Sequence, residues 1–90
     1  MTATEREQVR LSLLRYCAAA DRFGLHVAFL LQAIRNEGFR VVDLAELERE
    51  LEYLVEKGLV AAAEKPISPD LRTFRATAAG RDYLAARGIA

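Results

Sequence analysis

Apolar residues recur three and four positions apart through the first third of the chain, the spacing of one face of an α-helix. Val9, Leu13, Cys17 and Ala20 mark that face, and Leu11 and Leu14 widen it. Thr4-Glu5-Arg6-Glu7 reads as the start, because a Thr hydroxyl and a Glu carboxylate three residues on satisfy each other's orphan backbone N–H groups. Gly24 reads as the stop, since glycine tolerates the left-handed conformation that often follows a helix. A second helix is expected over Leu25 to Asn36. Val27, Leu30, Leu31 and Ile34 form its main face, with Phe29 and Ala33 beside it. A helix this apolar is buried on most sides. Gly38 ends it, and Phe39 to Val42 reads as an extended connector.

Asp43-Leu44-Ala45-Glu46 is a second capping box, and Val42 with Leu47 can form a hydrophobic staple across it. Leu44, Leu47, Leu51, Leu54 and Val55 line the inward side of this third helix, and Gly58 closes it. After Gly58 the period changes. Leu59 to Ala63 and Leu71 to Ala76 read as two strands of a β-hairpin. Its tip, Glu64 to Asp70, holds both prolines, which neither a helix interior nor a central strand tolerates. Thr77 caps a last helix, Ala78 to Arg87, closed by Gly88.

The stretch Leu47 to Val60, a leucine-striped helix running into Gly58-Leu59-Val60 and a hairpin, resembles the recognition helix and wing of winged-helix regulators. Thr77-Ala78-Ala79-Gly80 is similar to the Thr-x-x-Gly that opens the helix after the wing in many of them. Nearly the whole chain resembles small winged-helix proteins of Mu-like phages and prophages, often labelled ArsR-type transcriptional regulators. The fold this implies is mainly α (α+β): a winged helix-turn-helix with three helices, a β-hairpin wing and a C-terminal helix, in one domain over residues 1–90. The function it implies is DNA-binding regulation of transcription. The paired cysteines and His/acid clusters of metal-sensing relatives have no counterpart here, so metal sensing is not carried over.

Charge complicates that expectation. The 90 residues carry 13 Lys or Arg and 13 Asp or Glu. A balanced chain lacks the basic excess of a tight, non-specific nucleic-acid binder. From Asp43 to Lys57 six acidic residues face two basic ones. The outer face of the third helix is expected to hold Ala45, Glu46, Arg49, Glu50, Tyr53 and Glu56. Arg49 can read a guanine edge in the major groove, but a surface this acidic repels phosphate. Lys65, Arg72 and Arg75 fall on or beside the wing. With Arg49 and Tyr53 they are the candidate DNA contacts, against the plainer reading of scattered surface charge.

The two partner classes are therefore double-stranded DNA and a basic protein surface. A homodimer is expected through the first and last helices, with Leu11, Leu14, Tyr83 and Leu84 as candidate contacts. Cys17 sits in an apolar stripe and reads as a small hydrophobe. His26 reads as a polar residue near a helix start. Ser12 and Ser68 have only that one histidine in the chain to work with, so triad catalysis has no support, and no Gly-rich phosphate loop is present. No catalytic residue, metal site, cofactor or small-molecule substrate is expected. Neither a signal peptide nor a membrane span is expected, and the cytoplasm is the expected location.

Overall fold

A computed structural model describes residues 1–20, 23–63 and 72–89. Among them are four helices and a three-stranded antiparallel sheet, in the order α1 (Ala3–Ala19), β1 (Leu25–His26), α2 (Val27–Asn36), α3 (Leu44–Glu56), β2 (Val60–Ala62), β3 (Thr73–Ala76) and α4 (Ala78–Ala86). The proline-containing tip from Glu64 to Asp70, with Leu71, lies outside the described residues.

Helix α1 begins two residues earlier than expected. Thr2 is the cap: its hydroxyl accepts the Glu5 N–H at 3.1 Å, and the Glu5 carboxylate accepts the Thr2 N–H at 3.3 Å. Thr2-x-x-Glu5 and Thr4-x-x-Glu7 fit the capping pattern equally, and the earlier start adds backbone hydrogen bonds to the helix. These bonds hold the Glu5 carboxyl below its ordinary pKa. Helix α1 ends at Ala19, so Gly24 is not its immediate stop. Gly24 instead has φ +76°, and a Cβ there would lie 2.7 Å from the Phe74 carbonyl oxygen. The glycine lets the chain after α1 pass close against β3.

The largest departure from the sequence pattern lies just beyond. Leu25 and His26 do not open a helix; they form β1, paired with Phe74 and Thr73 of β3. The sheet order is β1-β3-β2, which makes β3 the central strand. His26 is the N-terminal flanking residue of α2, but its side chain makes no capping bond.

Helix α3 starts where expected, with the reciprocal Asp43–Glu46 capping box complete. Val42 and Leu47, flanking it, are both in the core. The inward face differs in detail: Leu47, Leu51 and Leu54 are buried, whereas Leu44 and Val55 are exposed. Glu50, expected outside, is buried. The buried stripe is thus rotated toward α1, because α1 packs along that edge of α3.

One core collects side chains from every helix and from β2 and β3, including Leu13, Leu14, Leu30, Ile34, Leu51, Val60, Phe74 and Leu84. The last helix is attached by a clasp that explains two sequence features together. Thr77 donates its hydroxyl to the Gly58 carbonyl at 2.6 Å, accepts the Gly80 N–H at 3.1 Å, and donates its own N–H to the Leu59 carbonyl at 3.0 Å. A Cβ on Gly80 would lie 2.1 Å from the Leu59 carbonyl oxygen. Thr77-x-x-Gly80 therefore locks the first turn of α4 onto Gly58-Leu59: the threonine ties the two backbones and the glycine makes room for them. Among the described residues no helix is long and apolar enough to cross a membrane.

Candidate nucleic-acid interface

Three features of the fold define the outer surface of α3. Its inward stripe is spent on the core, its N-terminus is fixed by Asp43, and one of its edges shares a cleft with Phe74 of β3. Glu48, Arg49, Glu52 and Glu56 are exposed along the surface that remains, joined by Leu44 and Val55 at the β3 edge. Arg49 forms no ion pair with a described residue. Its guanidinium is therefore available, but four glutamates, Glu46, Glu48, Glu50 and Glu52, lie within three positions of it in the sequence. Tyr53 is on the opposite edge, facing α1, at 36% exposure.

Arg72 and Arg75, both expected on or beside a wing, separate. Phe74 and Ala76 are buried and Arg75 between them is exposed, so Arg75 stands on the sheet face away from the core. Arg72 takes the other side. It lines a cleft of about 210 Å³ with Phe74, Val27 of α2, and Glu48 and Glu52 of α3. Its guanidinium lies 5.1 Å from the centre of the Phe74 ring. Arg72 thus joins the outer surface of α3, and Arg75 does not share that cleft. Lys65 lies outside the described residues.

The α1 edge of α3 holds what the sequence reading missed. Arg10 donates from Nε to the Glu50 carboxylate at 2.6 Å, with the two side chains 26% and 8% exposed. The same guanidinium stacks 3.7 Å from the centre of the Tyr53 ring. This pair joins α1 to α3 in the interior, and it removes Glu50 from the charge presented to a partner. The exposed acidity of α3 is therefore lower than the residue count implies, though it stays acidic. Tyr53, offered as a DNA contact, is held by Arg10 on the side of α3 away from Arg72. No local pattern marks Glu50 as buried, because its partner lies forty positions away.

A groove of about 620 Å³ opens on that same edge, between α1, α3 and α4. Two residues expected at a dimer contact, Leu14 and Leu84, belong to the core of the single chain at 1% and 4% exposure. The other two, Leu11 and Tyr83, line the groove. The four expected dimer contacts thus divide: two are taken up by packing within one chain and two stand at the groove.

Cys17 is buried, and burial pushes its thiol up to about 12. It is an unreactive part of the core at neutral pH. Burial, with a hydrogen bond to Glu37, also raises the Tyr16 hydroxyl. Among the described residues no group of three or more His, Cys, Asp or Glu side chains is placed to hold a metal ion. No family profile matches the chain, and no curated protein matches it.

Proposed function

We propose that this chain is a winged-helix DNA-binding protein of the phage or prophage regulator type. Helix α3 serves as the recognition helix and β2–β3 as the wing. The α1-β1-α2-α3-β2-β3-α4 order with a β1-β3-β2 sheet is compatible with that fold. The single observation that carries the functional reading is the cleft lined by Arg72, just before β3, and by Glu48 and Glu52 of α3. It makes the wing strand and the outer surface of α3 one continuous surface, as docking of a helix in the major groove with a wing on the backbone requires. Arg72 then supplies phosphate affinity and Arg49 a base contact. Glu48, Glu52 and Glu56 weaken the approach, so binding is expected to be modest and strongly salt-dependent.

The test is fluorescence anisotropy of a labelled mixed-sequence duplex at several salt concentrations. Micromolar binding that weakens with salt is the expected result. Arg72→Ala should lower affinity and reduce the slope of log K against log salt by about one. Arg75→Ala, on the other face of β3, should change it less. A second reading has its own support. Leu44 and Val55 are exposed beside Glu48 and Glu52, an acidic surface with apolar patches that suits a basic protein partner. An absence of duplex binding at low salt favours that reading and removes the first.

A further inference from the structure

The groove between α1, α3 and α4 is unrelated to the DNA surface just proposed, and it has the composition of a ligand site. Four leucines, Leu11, Leu14, Leu54 and Leu59, and two rings, Tyr53 and Tyr83, make the apolar part of a mixed lining. Its volume of about 620 Å³ falls within the range of roughly 300–1,000 Å³ usual for small-molecule pockets.

The rim carries charge of a definite sign. The Arg10 charge is neutralised by Glu50. Lys57 and Arg87 also line the groove, and neither makes an ion pair with a described residue. Each is instead held beside a groove tyrosine. The Lys57 ammonium is 5.7 Å from the centre of the Tyr53 ring, and the Arg87 guanidinium is 4.7 Å from that of Tyr83. A ring face positions a cation without neutralising it. Glu7 is the one acidic residue on the rim, so the unpaired charges there are two positive and one negative.

From this we infer that the groove binds a small organic anion: an aromatic or branched apolar body carrying one carboxylate. The body packs on the leucines, Tyr53 and Tyr83, and the carboxylate meets Lys57 and Arg87. A second copy of the chain is a poor occupant. A two-fold pairing of this surface would bring two rims of the same net positive charge together. Two walls of the groove belong to α1 and α4, and the third is the C-terminal half of α3. Occupancy therefore bears on how α3 is held.

The probe is 2-naphthoate, with the neutral 2-naphthamide as its isostere, titrated into the full chain and followed by 15N–1H correlation spectra. Saturable shifts confined to Leu11, Tyr53, Lys57, Leu59, Tyr83 and Arg87 are expected with the carboxylate. The amide should bind about tenfold more weakly, as loss of one charge-assisted contact implies. Lys57→Ala with Arg87→Ala, both exposed, should keep the dispersed spectrum and reduce naphthoate to the affinity of the amide. Equal binding of the two probes by the wild-type chain overturns the anion assignment. No saturable shift overturns the site altogether. Concentration-dependent broadening of the same residues without a probe identifies a second copy in the groove and likewise overturns the inference.

Discussion

Removing Arg10 should destabilise the chain more than removing its partner, although both deletions break the same ion pair. Arg10→Ala leaves the Glu50 carboxylate at 8% exposure with no counter-charge. Breaking a buried pair in this way costs about 3–5 kcal/mol. The low end applies here, because the Arg10 side chain is 26% exposed and water can follow it into the gap. Loss of the stacking on Tyr53 adds about 0.5–1 kcal/mol. A total near 3–4 kcal/mol should lower Tm by roughly 12–30 °C in a domain of this size. Glu50→Ala instead strands a guanidinium that reaches solvent, at a cost of about 1–2 kcal/mol. Replacing both partners, Arg10→Met with Glu50→Leu, removes the need for pairing and should fall within about 1 kcal/mol of wild type. Urea unfolding followed by circular dichroism measures all three. The reasoning fails if Arg10→Ala costs under about 1 kcal/mol, the value of an ordinary surface pair. It fails equally if the double replacement is as unstable as Arg10→Ala.

Two further predictions concern the backbone clasp and the buried thiol. Gly80→Ala drives a Cβ into the Leu59 carbonyl, 2.1 Å away, and should destabilise by about 3 kcal/mol or prevent folding; Gly58→Ala has open space and only the strain of φ +75°, about 1–2 kcal/mol. Similar urea midpoints for the two variants would dismiss the clasp. Cys17 remains a neutral thiol in the fold until about 12, against an ordinary value of 9.0. The unfolded chain therefore releases this proton first, and the contribution present below pH 9 is lost as the pH rises toward 12. Between pH 8 and 10.5 the wild type should lose about 2 kcal/mol more than Cys17→Val; parallel losses in the two chains would refute the linkage.

Where the chain's own neighbours decide the outcome, the pattern of residues was sufficient. Asp43 and Glu46 lie three apart and complete their box as expected. Thr77 caps α4, and Leu47, Leu51 and Leu54 point inward. These depend on helical periodicity and on side-chain bonds spanning one turn, both written locally. The choice of Thr2 over Thr4 was not legible, because two boxes of equal form overlap. Arg49 and Arg72 were named as candidate contacts from charge and position alone, and the structure adds only where they stand. That Arg75 stands on the opposite face of β3 from Phe74 and Ala76 follows from alternation along a strand, but which face turns to the core does not.

The sequence by itself determined the four helices, the hairpin strands that follow α3, and the balance of arginines and glutamates that any partner of α3 would meet. Only tertiary structure decided the rest, since each remaining feature joins residues far apart in the chain. Leu25 and His26 continue a helical pattern, yet become β1 because Phe74 and Thr73 offer them a strand edge. Glu50 carries a charge, yet is buried because Arg10 meets it from another helix. Leu14 and Leu84 are candidate dimer contacts by pattern, yet the packing of α1 and α4 encloses them in one core. A local pattern records what a residue prefers; burial and pairing depend on what the fold brings alongside it.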